Sequence, residues 1–273
     1  MTRPFLKMNG LGNDFVVLET RSGPFSPTAE EVRAIADRET GIGCDQLIVI
    51  EPMTGADARV RFWNADGEEV GACGNGTRCV GWLLMQSTGK NEAVIETQAG
   101  RLVATRAGDR LVSVDMGEPR LDWRDIPLAE EHDTRALDVA LYDHPALKAA
   151  PGCVSMGNPH VVFFVDDIDA APVAEAGPAV ERHPLFPAHV NVGFAQVKGP
   201  DRIRLRVWER GAGLTKACGT GACAALVAAA RRELTGRHAT LELDGGELFV
   251  EWRDDGHVIM TGPAAVDFAG HLP

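Results

Sequence analysis

The chain has 273 residues, a formal net charge of −12, 45% hydrophobic and 24% charged residues, the composition of a soluble globular protein with room for two ordinary domains. The acidic balance, with no Lys/Arg cluster to offset it, argues against nucleic acid as a partner. The longest apolar run, Ala222–Ala230, falls far short of the roughly 18–20 residues of a membrane span, and Met1–Gly10 is too short and polar for a signal peptide; the expectation is a cytoplasmic protein with reduced thiols and no membrane partner.

In chain order, alternating runs rich in Val, Ile and Leu predict strands at Asp14–Glu19, Gln46–Glu51, Ala58–Trp63, Ala93–Thr97, Arg101–Arg106 and Leu111–Asp115. Between them, residues 28–39 open with Thr28-Ala29-Glu30-Glu31, a capping-box pattern that predicts a surface helix. Gly74–Thr88 is apolar nearly all round and predicts a buried helix capped by Gly89. Residues 118–150, with their Pro, Asp and His content, read as a connecting region. The order then repeats: strands at His160–Val165, Val190–Ala195 and Arg202–Trp208, a surface helix at 172–182, a second apolar helix at Gly219–Thr235 capped by Gly236, and strands at Thr240–Leu243, Glu247–Trp252 and His257–Thr261. Ala107-Gly108-Asp109 and Asp254-Asp255-Gly256 mark hairpin turns.

The repetition has a constant offset of 145 residues. Gly12-Asn13 matches Gly157-Asn158, Arg61-Phe62-Trp63 matches Arg206-Val207-Trp208, and Gly117 matches Gly262. An offset held over most of the chain means internal duplication. The expected fold is therefore α+β: two pseudo-symmetric halves, 1–117 and 151–273, joined through 118–150. Each half wraps a mostly antiparallel sheet or barrel around a central buried helix, with the active site in the cleft between them and 264–273 returning to the first half. Trp63 and Trp208 read as matched core residues.

The same offset relates Ala72-Cys73-Gly74-Asn75-Gly76 to Ala217-Cys218-Gly219-Thr220-Gly221. Each segment puts a cysteine just ahead of a Gly-rich helix start. Unpaired N–H groups and the positive end of the helix dipole lie there, which favours a thiolate and forms an anion site suited to a carboxylate. Two such thiols suit removal of a proton from one face of a carbon and its return to the other. Cys44, Cys79, Cys153 and Cys223 lack this context and read as packing residues. No CxxC pair or zinc-type Cys/His spacing occurs, so neither a structural metal nor a disulfide framework is expected.

These motifs, together with Met8-Asn9-Gly10-Leu11-Gly12-Asn13-Asp14-Phe15, Gly41-Ile42-Gly43-Cys44-Asp45-Gln46, Phe62-Trp63-Asn64-Ala65-Asp66-Gly67, Gly157-Asn158-Pro159-His160, Val190-Asn191-Val192-Gly193-Phe194 and Trp208-Glu209-Arg210-Gly211, carry a resemblance. Over essentially its whole length the chain resembles the diaminopimelate epimerase family, whose fold is shared with proline racemases and phenazine-pathway isomerases. The resemblance implies epimerisation of LL-2,6-diaminopimelate to the meso form without a pyridoxal or other cofactor, in lysine and peptidoglycan precursor synthesis. It implies that Cys73 and Cys218 are the two bases and that backbone at Gly74-Asn75 and Gly219-Thr220 holds the α-carboxylate. Asn13, Gln46, Asn64, Asn158, Asn191, Glu209 and Arg210 fall on substrate-binding positions, with His160 and Glu209 tuning the thiols and orienting the reacting centre. A homodimer is also implied, to which the segment Ala264–Pro273 with its Phe268 could contribute.

The residues themselves fit a substrate with two ammonium and two carboxylate groups. Neutral amides can hold zwitterionic groups, and Arg210 can take a distal carboxylate bidentately. Read singly, Asn13, Asn64 and Asn158 serve equally well as turn formers, His160 as an exposed strand residue and Glu209-Arg210 as a surface pair. The chain departs from the family at Leu214, where a Glu is common, and at Cys44, where a smaller residue is common. A racemase of a proline-type substrate, a thiol-redox protein and a non-catalytic amino-acid-binding protein are the competing readings.

Overall fold

The structure, a computed structural model, describes residues 3–20, 23–71 and 73–272. Ala72, the first residue of the first cysteine turn, and Met1, Thr2 and Pro273 at the ends of the expected halves lie outside the described residues. The chain forms two compact units, Met1–Asp115 with Thr261–Pro273, and Met116–Met260.

In the first unit, β1 (Arg3–Gly10) and β2 (Asn13–Glu19) form an antiparallel hairpin. Its two-residue turn puts Leu11 and Gly12 at φ 63° and 75°, the left-handed backbone that matches strand twist. Helix α1 (Ala29–Ala36) carries the expected capping box between Thr28 and Glu31. Strand β3 (Gln46–Glu51) runs parallel to β2, and β4 (Ala58–Asn64) returns antiparallel to β3 before the short β5 (Glu69–Val70). Helix α2 (Gly74–Thr88) leads into the meander β6 (Glu92–Thr97), β7 (Gly100–Arg106) and β8 (Leu111–Asp115). Packed against β6, β7 and β8 and against β1 and β2, α2 buries Val80, Leu84 and Met85. It ends where Gly89 turns left-handed, at φ 71°, and donates its N–H to Met85 O.

The second unit repeats the plan. Strand β9 (Gly152–Ser155) pairs antiparallel with β10 (Pro159–Phe164), and helix α3 (Val173–Glu181) crosses to β11 (Asn191–Gly199), parallel to β10. Then come β12 (Arg202–Glu209), β13 (Gly213–Thr215), helix α4 (Gly219–Arg231), β14 (His238–Leu243) and β15 (Gly246–Trp252). The boundary between units falls within β16 (Val258–Pro263), and β17 (Ala265–Leu272) pairs antiparallel with β1. The duplication extends to register: Phe15 opposes Gln46 as His160 opposes Asn191, and Leu47 opposes Trp63 as Val192 opposes Trp208. Each unit thus sets mostly antiparallel strands around one buried helix, the α+β architecture expected from sequence. Among the described residues no helix is long and apolar enough to cross a membrane.

Several boundaries differ from expectation. Helix α4 stops at Arg231 rather than Thr235, because Glu233 turns left-handed at φ 57° and Leu234 N–H closes back on Ala229 O. Gly236 is therefore not its cap; its N–H donates to Pro200 O. Helix α1 ends at Ala36, and α3 accommodates Pro178. Residues 118–150 hold one helical turn, Pro145–Leu147, and bury Ile126, Leu128 and Leu137 in the second unit's core with Phe163 and Phe194.

Candidate active site

Each unit builds the same device at the start of its central helix. Cys73 caps α2 in extended backbone, and its Sγ accepts the N–H of Gly76 at 3.4 Å. Cys218 caps α4 likewise and accepts the N–H of Gly221 at 3.4 Å. A thiol here takes the role that Ser or Asp usually plays at an N-cap. The glycine at the third helical position is required sterically in the first unit: a Cβ on Gly76 would sit 2.9 Å from Ile48 Cδ1 and from Phe62 Cε1.

In the first unit the expected residues gather at strand ends beside Cys73. Asn13 begins β2, Gln46 begins β3, Asn64 ends β4, and Gly74 and Asn75 open α2. Asn13 Nδ2 donates to Asp45 Oδ2 at 2.7 Å. A carboxylate only accepts, so this bond fixes the amide's sense and turns Asn13 Oδ1 toward Cys73 Sγ (3.8 Å) and Asn75 Nδ2 (3.5 Å). Gln46 Nε2 donates to Asn64 Oδ1 at 2.8 Å, and Gln46 Oε1 is buried without a hydrogen-bond partner among the described residues.

Behind them stands a charge cluster that sequence reasoning missed. Lys7, 6% exposed, pairs with Asp14 at 2.5 Å and also donates to Gly43 O. Arg38 bridges Asp14 (2.9 Å) and Asp45 (2.7 Å). Burial pushes the Asp14 carboxyl up, but Arg38 and Lys7 together outweigh it and hold the group well below the usual carboxylate range. A lysine interrupting the apolar alternation of Phe5-Leu6-Lys7-Met8 is the signal that points to this cluster.

In the second unit Asn158 precedes β10, His160 lies in it, Asn191 begins β11, Glu209 ends β12, and Gly219 and Thr220 open α4. Asn158 Nδ2 donates to Thr220 Oγ1 at 3.3 Å and Asn158 Oδ1 lies 3.0 Å from His160 Nε2. His160 is 1% exposed rather than an exposed strand residue; burial, with the charge of Arg210 second, lowers its pKa to about 3. A neutral imidazole follows at neutral pH. Asn191 turns inward, accepting Arg210 N–H at 3.0 Å and donating to Pro159 O at 2.9 Å. Thr215 donates to Glu209 Oε1 at 2.5 Å, and the exposed Arg210 side chain donates to Ala188 O at 2.9 Å.

The thiolate expected at each helix start is not the resting form of Cys218. The residue is 4% exposed, and burial first, then the Glu209 carboxylate, raises its pKa well above the usual thiol range. Bonds from Thr220 and Gly221 oppose that rise and do not overcome it. Cys73 is only half-buried. Of the other cysteines, Cys44 is pushed up to about 11 and Cys79 to about 12 by burial, as inert packing thiols are. Among the described residues no group of three or more His, Cys, Asp or Glu could hold a metal ion.

A family model described as diaminopimelate epimerase matches residues 5–121 and 152–266. The chain belongs to the diaminopimelate epimerase family. It is 84% identical over 273 residues to a diaminopimelate epimerase of Phenylobacterium zucineum (strain HLK1), covering 100% of this chain and 99% of that protein. It is 61% identical over 288 residues to a diaminopimelate epimerase of Caulobacter vibrioides (strain NA1000 / CB15N), covering 100% and 98%. Among solved structures, a PhzF-family phenazine biosynthesis protein of Bacillus anthracis superposes with a TM-score of 0.71 at 17% identity, covering 100% of this chain and 99% of that one. A hydroxyproline epimerase of Agrobacterium vitis superposes with a TM-score of 0.70 at 17% identity, covering 99% and 92%. These structural likenesses establish the fold; the diaminopimelate epimerase family rests on the sequence matches.

Proposed function

We infer that this protein, an isomerase, interconverts LL- and meso-2,6-diaminopimelate, with Cys73 and Cys218 as its two acid–base groups. One sulfur, as thiolate, takes the α-proton; the other, as thiol, delivers a proton to the opposite face of the same carbon. The observation that carries the reading is the repeated cysteine N-cap, each with a backbone N–H at 3.4 Å from sulfur in a chain of this family. The protonated resting state of Cys218 suits it to the donor's part. Helix-start N–H groups at Gly74-Asn75 and Gly219-Thr220 supply the positive potential that a substrate carboxylate and the developing carbanion require. The reaction then needs no pyridoxal cofactor as electron sink. Asn13, Gln46, Asn64, Asn158, Glu209 and Arg210 frame the substrate, Asn191 supports the turn by accepting the Arg210 N–H, and His160 orients Asn158. Gln46 Oε1, buried without a hydrogen-bond partner among the described residues, offers an acceptor for an ammonium.

Proton NMR of LL-diaminopimelate with the reduced protein in D2O tests this. The expected result is loss of the α-proton signal with growth of the meso isomer. Exchange without meso product would remove one cysteine from the mechanism. No exchange by folded, reduced protein would shift the assignment to another amino acid, starting with proline-type substrates. Cys73→Ala and Cys218→Ala should each reduce epimerisation at least ~1,000-fold. The reading extends to a cytoplasmic homodimer involving Phe268, which is 50% exposed on β17 and packs edge-on to Phe5 at 6.0 Å. Sedimentation velocity at two concentrations checks the dimer.

A further inference from the structure

Glu181, the last residue of α3, is a carboxylate only 5% exposed. Among the described residues two hydrogen-bond donors reach it, and His189 Nδ1 stands 4.0 Å from Oε1, beyond hydrogen-bond distance. Trp208 Nε1–H donates to Oε2 at 2.7 Å, and the backbone N–H of Gly211 donates to Oε1 at 3.1 Å. Trp208 and Gly211 flank Glu209 and Arg210, so one carboxylate holds both sides of the turn that carries the charged pair. Asn191 Oδ1 takes the intervening Arg210 N–H. Charged acceptors bind N–H groups more strongly than neutral ones, and burial strengthens the bonds further.

The approach of α3 explains how the carboxylate gets there. Gly177 lies one helical turn before Glu181 on the same face. A Cβ on Gly177 would meet Trp208 Cγ at 2.6 Å. Gly177 therefore lets the helix press on the indole while Glu181 reaches its N–H. At the 145-residue offset, the first unit has Val32 and Ala36 in place of Gly177 and Glu181, and its turn carries the uncharged Asn64-Ala65 in place of Glu209-Arg210. The carboxylate occurs in the half whose turn holds a charged pair.

We propose that Glu181 is a positioning residue that fixes Glu209 and Arg210 by clamping Trp208 and Gly211. Through Glu209 the clamp reaches the thiol of Cys218, which that carboxylate faces. The functional part of the proposal rests on the epimerase reading above. Glu181→Gln retains shape but presents one acceptor and one donor to two donors, so one bond is replaced by a donor–donor clash. The expected result is at least a tenfold loss in kcat/KM for LL-diaminopimelate, with circular dichroism unchanged. Trp208→Phe alone removes one donor. In Glu181→Gln/Trp208→Phe the clash is gone and the Gln oxygen accepts Gly211 N–H. The double variant should therefore recover several-fold in kcat/KM over Glu181→Gln. Multiplicative losses, or wild-type kcat/KM in Glu181→Gln, would overturn the clamp's functional role. Amide hydrogen exchange of Gly211 and Arg210 gives an activity-independent readout. It should accelerate in Glu181→Gln and slow again in the double variant. If the wild-type protein left diaminopimelate unchanged while exchange followed this pattern, the substrate reading would fail and the clamp would stand. Unaltered exchange at Gly211 in Glu181→Gln would overturn the clamp itself.

Discussion

Replacing Gly76 with alanine separates helix propensity from site geometry. Gly76 is the third residue of α2, and on propensity alone Gly→Ala there should stabilise the protein by up to ~1 kcal/mol. The structure reverses that sign. The new Cβ would sit 2.9 Å from both Ile48 Cδ1 and Phe62 Cε1, two side chains that are fully buried on β3 and β4. Relieving such contacts in a close-packed core costs ~1–3 kcal/mol, so after the full propensity gain the net change should be a destabilisation of up to ~2 kcal/mol. The displacement also moves the Gly76 N–H that lies 3.4 Å from Cys73 Sγ. Turnover should fall at least ~10-fold, since a small misplacement at a reacting group costs rate steeply. Urea unfolding and steady-state epimerisation would be measured for wild type, Gly76→Ala and the control Gly236→Ala. A Cβ on Gly236 meets nothing within 4 Å, and that variant should be neutral within ~0.5 kcal/mol. A Gly76→Ala protein stabilised by ~1 kcal/mol with normal turnover would refute the packing argument.

Asp14→Asn should destabilise the protein by ~2–3 kcal/mol at pH 7, because it leaves Lys7 buried beside a neutral amide. Asp14 titrates below its unfolded value, so its contribution is present above about pH 4 and is lost as pH falls further; the gap between wild type and variant should narrow there in urea titrations. His160, with its folded pKa lowered to about 3, is neutral in the folded state while the unfolded chain takes up a proton below about 6.5. Stability should therefore fall by ~1.4 kcal/mol per pH unit on acidification through that window, and His160→Gln should flatten this slope. Arg210→Met should raise KM for diaminopimelate more than it lowers kcat if the guanidinium holds the distal carboxylate, and steady-state kinetics would show which parameter moves.

The parts of the site legible in sequence are those written in local chemistry. Cysteine followed by glycines at a helix start, repeated at a fixed offset, needs no tertiary information, and the Thr28–Glu31 capping box appears as read. What escaped depends on contacts between segments distant in sequence. Glu181 looks like any acidic residue closing a surface helix until Trp208 is seen across from it. Asp45 gains its role from Asn13, 32 residues away. Strands β1 and β17 were not foreseen because Lys7 and the mixed Phe268-Ala269-Gly270-His271 run break alternation. The end of α4 was overrun because Arg231-Arg232-Glu233-Leu234 are good helix formers, and only the left-handed turn at Glu233 stops the helix.

The charge state of Cys218 shows how a correct local argument loses to a tertiary one. A helix N-terminus does favour a thiolate, and the Gly221 N–H is in place to do so. That effect is confined to the first turn, whereas burial removes solvent from the whole charged form and the Glu209 carboxylate repels it. Glu209→Gln removes the repulsion and leaves the burial. At pH 8 the variant should alkylate faster than wild type at Cys218 when treated with iodoacetamide and read by peptide mass spectrometry. Its epimerisation should nonetheless be slower, because the carboxylate that faces the reacting sulfur is gone. A thiol that becomes more reactive in a poorer enzyme separates the electrostatic role of Glu209 from a structural one. If alkylation and turnover instead fell together, Glu209 would be holding the helix start in shape rather than setting the charge of Cys218.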